Sequence, residues 1–464
     1  EMLRRKKINR RRFLSEAAGL AVGAISFPYI VSSSALGRGE RAAPSNRIVM
    51  GCIGVGGQGT RNMLSFLNEA DVQIVALCDV NKGSSDYDML YQFPDSTSAG
   101  LKPAIERAER AYAEKRPSGT YKGIDGYSDF RELLARDEID AVSVCTPDHW
   151  HALISVAAAK AGKDIYCEKP LANTVAEGKA IREAVNRYGR VLQTGSHERS
   201  RDNVRFACEL VRNGRIGKLH IIRIYMPCDE PQHLEVIKNA GPQPEMPIPD
   251  GFNYDMWLGH TPYEPYTERR CHFWWRFILS YGGGEMTDRG AHIIDIGQLG
   301  NDTDDTGPIE IAAKGKALPK GLYNAFMEFE FEFKYINGVR MLGKSEGTRG
   351  LRFEGTDGWI FVHIHGGQLE AQPQSLLKEV IGPNEIHLGR SPGHHRNFLD
   401  AVKSRGQPVA PVEVGHRTAT ICHLTNIAML TEETLRWNPQ TERVTNSYQA
   451  DIMLTPVMRS PWYL

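Results

Sequence analysis

Residues 51–59 read GCIGVGGQG, a G-x-G-x-x-G pattern that lies between two apolar runs of the chain. Asp79 follows 20 residues after Gly59, at the end of the second run. In a strand–turn–helix unit, such glycines allow a tight turn, a close approach of the backbone to a pyrophosphate and packing of the helix on the strand. Because an acid at this point binds ribose hydroxyls and repels a 2′-phosphate, the pattern predicts an NAD pocket rather than an NADP pocket. Its predicted cofactor residues are Gly54, Gly56, Gly57, Gln58, Gly59 and Asp79.

Apolar strands and helical patterns continue to alternate after Asp79. The predicted helices are 104–114, 130–136, 152–161 and 176–187, and the predicted strands are 141–145, 164–167 and 191–194. This alternation predicts a doubly wound α/β domain over residues 46–196. The connection 81–103 is longer than such folds usually need, so we interpret it as a lid or an oligomer contact.

The pattern changes to longer strands after residue 217. Strands are expected at 219–225, 309–316 and 323–335, with shorter ones in 338–362. In 325–333, Phe and Met alternate with Glu, which predicts a sheet with one apolar and one acidic face. The fold class is therefore α/β plus α+β: a Rossmann domain, then an open, predominantly antiparallel sheet domain over 197–440 and a tail over 441–464. Two late helices, 394–403 and 414–435, are expected to pack back on the first domain.

Residues 1–35 resemble a twin-arginine export signal. Asn9 to Leu14 read N-R-R-R-F-L, a soft apolar run follows, and small residues at Ser33 and Ala35 suit a peptidase. The apolar run is too short to span a bilayer comfortably. We therefore expect a periplasmic protein, with no membrane span in the exported chain.

Charge and cysteine usage narrow the class of protein. The chain is neutral overall, with 56 basic and 56 acidic residues, and without residues 1–35 it is mildly acidic at 49 − 54 = −5. Nucleic acid is therefore not expected as a partner, because phosphate binding needs a positive patch. Cys52, Cys78, Cys145 and Cys167 lie in or at the ends of apolar runs, where cysteine usually behaves as a small buried hydrophobe. Few or no disulfides are expected.

Two further motifs carry groups suited to chemistry. Residues 168–172 read EKPLA directly after a predicted strand, at the edge of the sheet where ligands bind. Residues 282–295 read GGGEMTDRGAHIID and place Asp288, His292 and Asp295 on one face of a helix. An imidazole near a carboxylate and a lysine can take a proton from an alcohol at working pH.

On these three motifs the chain resembles the glucose-fructose oxidoreductase, inositol dehydrogenase and MocA-type oxidoreductase family over nearly all of residues 36–464. The resemblance implies a catalytic set of Lys169, Asp288 and His292 acting on a sugar or inositol hydroxyl. It implies that His292 takes the proton, Lys169 steadies the alkoxide and Asp288 holds the substrate or tunes the histidine. Glu168, with Lys169, is expected to border the cofactor.

Residues 146–151 read TPDHWH after another predicted strand, so Thr146, Pro147 and His151 are also expected to border the cofactor. The histidines at 149 and 151 could suggest a metal, but without a third credible ligand helix capping and cofactor contact are favoured. The pair at 394–395 is interpreted as solvated or on the substrate side. No metal is expected.

Substrate contacts are expected from the second domain and its loops. His197 and Arg199 follow the last strand of the first domain, Asp295 shares the face of His292, and Trp274 and Trp275 are aromatics of the kind that stack on sugar rings. A buried core role for the two tryptophans stays open. The expected partners are a sugar, glycoside or polyol and further copies of the chain, as homodimer or homotetramer, because the apolar sheet face needs a cover.

The function expected from the sequence is an exported NAD-dependent oxidoreductase that transfers hydride between a secondary hydroxyl of a sugar, glycoside or inositol and a tightly bound cofactor. The alternative is an NAD-dependent glycoside hydrolase that works by transient oxidation and elimination, as one glycosidase family on this fold does. A non-catalytic sugar-binding protein is disfavoured by the complete set of Lys169, Asp288 and His292.

Overall fold

The computed structural model describes residues 46–85, 87, 93, 98–228 and 231–464. The predicted signal segment, 1–35, lies outside these residues, as does part of the predicted connection 81–103. From Ile48 to Leu464 the chain forms one contiguous unit.

The first part of this unit is a parallel sheet, in which the described residues supply six strands in the order β3-β2-β1-β4-β5-β6. The strands are β1 (Ile48–Ile53), β2 (Val72–Cys78), β3 (Asp125–Tyr127), β4 (Ala141–Val144), β5 (Asp164–Cys167) and β6 (Leu192–Thr194). This order is that of a Rossmann fold, with the change of direction between β1 and β4. Strands β4 and β5 are buried along their whole length, which explains why their sequences, AVSV and DIYC, are mostly apolar.

Helices cover both faces of this sheet. They are α1 (Gly57–Leu67), α2 (Leu101–Glu114), α3 (Phe130–Leu134), α4 (Asp148–Lys160) and α5 (Val175–Arg187), followed by α6 (Asp202–Arg212). Helix α5 begins with a capping box, because the Thr174 hydroxyl accepts from the backbone N–H of Glu177 and the Glu177 carboxylate accepts from the N–H of Asn173. Helix α4 begins four residues before the predicted start at 152, because the side chains at 148–151 are buried within the fold.

The second part is a mixed, mostly antiparallel sheet, to which the described residues contribute nine strands in the order β13-β12-β11-β7-β10-β9-β8-β14-β15. Only the β7–β10 pair among these is parallel. The strands are β7 (Leu219–Tyr225), β8 (Glu310–Lys316), β9 (Glu328–Lys334), β10 (Arg340–Lys344), β11 (Gly350–Gly355), β12 (Trp359–His363), β13 (Leu369–Gln372), β14 (Leu435–Asn438) and β15 (Arg443–Val444). Its helices are α7 (Pro231–Asn239), α8 (Tyr254–Leu258), α9 (Gly284–Asp288), α10 (Gly290–Gly300), α11 (His394–Ser404), α12 (Val412–Thr431) and α13 (Tyr448–Ile452).

The surroundings of both faces of β9 differ from the prediction. Phe331 and Phe333 are buried, and the core around them includes apolar side chains of α10 and α12. The chain itself therefore covers the apolar face, so the argument that neighbouring subunits must cover it was wrong. On the other face, Glu328 and Glu332 pair with basic side chains of neighbouring elements, among them Arg340 at 2.7 Å. This face therefore carries paired acidic and basic side chains and is not the acidic surface that was predicted.

The late helices lie against the Rossmann domain. Phe398 of α11 packs against Phe66 and Tyr166, with ring centroids 6.1 and 5.9 Å apart. Helix α12 packs on α5, and its His423 ring contacts the carbonyl of Ala172 at 2.8 Å. The C-terminal tail also returns to this domain, because the Trp462 ring lies edge-on to that of Trp150 at 4.9 Å.

No helix in the described ranges is both long enough and apolar enough to cross a membrane.

Candidate active site

A cavity of about 480 Å³ opens at the carboxyl ends of the parallel strands, where the Rossmann domain meets the second sheet domain. Its wall contains the glycine-rich loop, Lys169 of the EKP motif, and Asp288 and His292 of the second domain. Predicted residues in its lining are Gly54, Gly56, Gly57, Gln58, Gly59, Asp79, Thr146, Pro147, Glu168, Lys169, His197, Trp275, Asp288 and His292. The structure thus brings groups from both domains to one site.

The glycine loop fits the backbone of a dinucleotide pocket. Gly54 has φ +79°, and a Cβ there would lie 2.5 Å from the carbonyl oxygen of Cys145. A Cβ on Gly59 would lie 1.9 Å from the carbonyl oxygen of Gly54, so only glycine lets helix α1 start this close to β1. The first N–H groups of α1 then face the cavity at Gly57, where they suit a phosphate.

Asp79 ends β2 at the same cavity. Its carboxylate accepts hydrogen bonds from the backbone N–H groups of Val55 and Asn81, both at 2.8 Å. Burial raises the pKa of Asp79 to about 6, although these two hydrogen bonds work in the opposite direction. Each oxygen keeps a lone pair for a ribose hydroxyl, so Asp79 ties the glycine loop to its own strand end and still presents an acceptor.

The EKP motif positions its lysine through the glutamate. Glu168 is buried and accepts from Asn62 Nδ2 of α1 at 2.9 Å and from the N–H of Lys169 at 3.1 Å. The side chain of Lys169 then reaches Asp288, with Nζ 2.5 Å from Oδ1 and 3.2 Å from the backbone oxygen. Two residues that lie 119 positions apart in the sequence thereby form one ion pair at the cavity wall.

Asp288 and His292 do not share one continuous helix. Helix α9 ends at Asp288 and α10 begins at Gly290, so Arg289 lies between the two helices. Asp288 remains partly exposed to the cavity, whereas the residue exposure of His292 is 3%. Arg289 itself keeps helical dihedrals, and both Asp288 and His292 line the cavity.

Electrostatics set the protonation of this group. Burial alone would raise the pKa of Asp288, but the charges of Lys169, Arg289 and Arg276 lower it well below its usual range. Burial, followed by the charge of Lys169, lowers the pKa of His292 well below its ordinary value. Asp288 is therefore a carboxylate and His292 a neutral imidazole at neutral pH, which is the state of a general base.

Three histidines lie close together in the cavity wall. His197, His292 and His365 each bring a ring nitrogen within 4.8 Å of the others. His365 lies after β12 with φ +68°, an uncommon conformation for a residue with a side chain, and its ring meets His292 edge-on at 4.8 Å. No sequence motif pointed to His365, although the Gly366-Gly367 pair after a strand marks a turn that could present it.

A histidine cluster is also a donor set that zinc prefers. Arg349 Nη1, however, lies 2.9 Å from Nδ1 of His365, and arginine can only donate. In a neutral His365 ring the hydrogen therefore sits on Nε2, so that nitrogen has no lone pair for a metal. Lys169 and Arg289 add positive charge near His292. Both features disfavour a cation, and the absence of a metal stays a prediction.

Four residues predicted for the site lie outside the cavity lining. His151 is fully buried, and its two ring nitrogens lie 2.8 and 2.9 Å from the carbonyl oxygens of Pro170 and Thr146, so it ties two loops together behind the pocket. Arg199 and Asp295 form a buried ion pair at 2.8 Å, and Trp274 packs among the rings of an aromatic cluster. These four side chains support the site structurally and do not line it.

Other lining residues were not singled out from the sequence. Arg276 lies over the ring of Trp275, with Cζ 4.6 Å from its centroid, which positions a cation and an aromatic face at the cavity together. Tyr87 of the predicted lid segment lies against Gly56 and meets His272 edge-on at 5.0 Å. Arginine beside tryptophan was the only sequence signal for Arg276, and Tyr87 had none.

Comparison with known proteins gives two family matches. The oxidoreductase family with an NAD-binding Rossmann fold matches residues 48–196, and the C-terminal α/β domain of the same oxidoreductase family matches residues 238–464. Together they account for most of the chain.

Individual relatives match smaller parts. The chain is 34% identical to the myo-inositol 2-dehydrogenase of Thermotoga maritima over 135 residues, which are 29% of this chain and 40% of that protein. It is 28% identical to the alpha-N-acetylgalactosaminidase of Shewanella oneidensis over 231 residues, 46% of this chain and 44% of that protein. The match thus spans less than half the length of both relatives.

A solved structure shows the fold over a longer stretch. The aldose-aldose oxidoreductase of Caulobacter crescentus, complexed with glycerol, superposes with a TM-score of 0.57 at 18% identity and covers 84% of this chain and 99% of its own. The glycine loop, the order of the parallel sheet and the two family matches agree in their assignment. The chain belongs to the Gfo/Idh/MocA oxidoreductase family and carries that family's NAD-binding Rossmann domain.

Proposed function

We propose that the protein is an exported oxidoreductase that oxidises a secondary hydroxyl of a sugar, glycoside or inositol with a tightly held NAD. The observation that carries the proposal is the buried, neutral His292 beside the Lys169–Asp288 pair, in one cavity with the glycine loop. A base, an electrostatic partner for an alkoxide and a dinucleotide loop are the three parts that alcohol oxidation needs.

His292 is the proton acceptor in this proposal. Its pKa is lowered, so the ring is neutral in the resting enzyme and holds a free lone pair for the substrate hydroxyl. NAD, held by the glycine loop and Asp79, supplies the acceptor for the hydride that leaves the same carbon. Removing the proton and the hydride from one CH–OH group leaves a carbonyl.

Lys169 stabilises the charge that develops on the substrate oxygen. An ammonium has three N–H donors, of which two point to Asp288. The third is available to the oxygen as it loses its proton to His292. Asp288 fixes the position of the ammonium. A charge fixed in this way stabilises an alkoxide more in a water-poor cavity than in solvent.

The sugar would bind at the part of the cavity wall formed by Trp275, Arg276 and the histidines at 197, 292 and 365. Trp275 is nearly buried and presents its ring at the cavity beside the guanidinium of Arg276. Aromatic faces suit the apolar face of a pyranose or inositol ring, and guanidinium and imidazole groups suit its hydroxyls. These are the contacts we propose for substrate selection.

Export rests on the twin-arginine pattern of residues 1–35, and tight binding of NAD follows from it because the free nucleotide is scarce outside the cytoplasm. A retained cofactor must be reoxidised in place, by a second sugar or by another acceptor. We further propose that the protein is a homo-oligomer.

A second candidate function is glycoside hydrolysis through transient oxidation. It is favoured by the match to the alpha-N-acetylgalactosaminidase over 231 residues. The same base and cofactor would serve it, because oxidation of the hydroxyl two carbons from the glycosidic carbon acidifies the C–H between them and permits elimination of the aglycone. The two functions differ in the product: a stable oxidised sugar in one, a freed aglycone in the other.

The test is to purify the exported protein without added nucleotide, record its spectrum, and add sugars, inositols and glycosides while following the absorbance of reduced nicotinamide. Bound nucleotide that becomes reduced with one class of sugar, and reoxidised by a second, supports the proposal. Release of the aglycone from aryl glycosides without net reduction would support the hydrolase. Failure of every compound with both bound and added NAD would refute both.

A further inference from the structure

His292 needs a route by which to lose the proton that it receives. It is buried at 3% residue exposure, and among the described residues its Nδ1 has no hydrogen-bond partner. A protonated His292 would also lie near the positive charges of Lys169 and Arg289. The imidazolium is therefore an unfavourable resting state, and a neighbour must accept the proton.

His197 is the neighbour that joins the buried base to solvent. Its ring centroid lies 4.7 Å from that of His292, and its side chain is 42% exposed. The nitrogens of the two rings lie within 4.8 Å of each other, a gap that one water molecule can bridge. A proton that reaches His197 is thus on a partly exposed side chain of the cavity wall, outside the buried position of His292.

Glu198 makes His197 a suitable carrier. Its carboxylate is 1% exposed and lies 3.1 Å from His197 Nε2, so it stabilises the ring when it is charged. Burial alone would raise the pKa of Glu198, but the hydrogen bond and charge of His197, with Arg201, hold it below its usual value. The glutamate therefore stays ionised at neutral pH. Its other oxygen has no partner among the described residues.

His365 is the competing neighbour, and its surroundings oppose proton transfer to it. Burial lowers its pKa to about 4, and Arg349 donates to its Nδ1. An imidazolium there would place two cations in contact. The charged and titratable groups around His197, His292 and His365 are Lys169, Glu198, Arg201, Arg289, Arg349, His394 and His395, and Asp288 pairs with Lys169 beside them.

We propose that His197, held by Glu198, relays to solvent the proton that His292 takes from the substrate. The inference rests on the proposed function. The carbon that bears the hydroxyl gives hydride to NAD, and the hydroxyl gives its proton to His292. The proton then passes to His197, and His197 gives it to water. His197 touches His292 rather than the reacting carbon, so it acts as a relay and not as the base.

The test separates hydride transfer from proton release in a single turnover. Full-length protein with bound NAD is mixed, in weak buffer with a pH-indicator dye, with the sugar that reduces it. Reduced nicotinamide and released protons are recorded together. In the unaltered protein the two traces should rise together.

In His197→Ala we expect the rate of proton release to be about 100-fold lower than the rate of hydride transfer, within the range for a positioned proton-transfer group. His197→Asn should give the same result and guards against a folding defect caused by the smaller alanine side chain. Added imidazole should restore the rate, which a merely structural defect would not allow. Glu198→Gln should give a smaller lag. His220→Ala, on an exposed position of β7, is the matched control and should behave as the unaltered protein.

Synchronous traces in both His197 variants would overturn the relay, as would a lag that imidazole does not shorten. Stoichiometric metal in the purified protein that disappears with His365→Ala would also overturn it, because the three rings would then be ligands. If the unaltered protein reduces no nicotinamide with any sugar, the proposed function itself fails and the relay falls with it; that outcome is visible before any variant is compared.

Discussion

Replacing Lys169 with methionine removes one charge from the site and leaves the length of the side chain nearly unchanged. The structure gives the size of the effect. Two of the three N–H donors of Lys169 are used by Asp288, at 2.5 and 3.2 Å, which leaves one for the substrate oxygen. Loss of one such donor slows the chemical step by roughly 10²–10³-fold, about 2.7–4 kcal/mol. Lys169→Arg should retain part of the rate because it retains the charge.

The same change should shift the pH dependence. After burial, the charge of Lys169 is the largest cause that lowers the pKa of His292. In Lys169→Met this pKa should rise, so His292 becomes protonated at higher pH and the acid limb of the rate profile moves upward. The deficit of the variant therefore grows as the pH falls below neutral.

The assay is the single-turnover reduction of bound NAD, measured across pH, with the exposed Lys160→Met of α4 as the control. A Lys169→Met rate within about threefold of the unaltered protein at every pH would refute the alkoxide-stabilising role, because it is far below the loss of one donor. An unmoved acid limb would refute the assignment of that limb to His292.

Asp79→Ala should weaken NAD binding at least tenfold, because a charged hydrogen-bond acceptor contributes about 1.5–3 kcal/mol, and it should reduce the discrimination against NADP. Calorimetric titration with both nucleotides measures these affinities, and unchanged values would contradict the prediction. Asp295→Asn should lower the free energy of unfolding in urea by about 3 kcal/mol, because it leaves the guanidinium of Arg199 buried with fewer partners. The KM for the sugar should not change. A raised KM with full stability would instead place Asp295 in the substrate site. The stability of the fold should also fall as the pH drops below about 6.5, because burial lowers the pKa of His394 to about 3 and of His423 to about 4, so the unfolded chain binds protons in this range that the folded chain does not. Urea midpoints at neutral and mildly acidic pH measure this, and a higher midpoint at the acidic pH would contradict the reasoning.

Local patterns were enough for the Rossmann domain. The spacing of Gly54, Gly56 and Gly59 encodes backbone constraints that only glycine meets, and the structure shows the close contacts behind two of them. Asp79 and Lys169 follow directly on buried strands, so their place at the carboxyl edge of the sheet is fixed by the strand that precedes them. Strand and helix periodicity then ordered the elements, with errors at their ends such as the start of α4.

Position on one helix face was a poorer guide. Asp288, His292 and Asp295 are four and three residues apart, and the first two line the cavity, but Asp295 is buried against Arg199. The sequence pattern could not show the pairing of Asp295 with Arg199, because the two residues come from different elements of the chain.

By itself, the sequence determined the cofactor loop and the family, because the glycine spacing and the short motifs are specified by residues close together in the chain. The assignment of Lys169, Asp288 and His292 to the chemistry rests on the family resemblance and stays a prediction. Only the tertiary structure decided which polar side chains meet. It joined Lys169 to Asp288 across 119 positions, removed Arg199 and Asp295 from the site, and added His365 beside His292. The physical reason is that charge pairing and burial depend on distances between elements, whereas turns and helix starts depend on neighbours in the sequence.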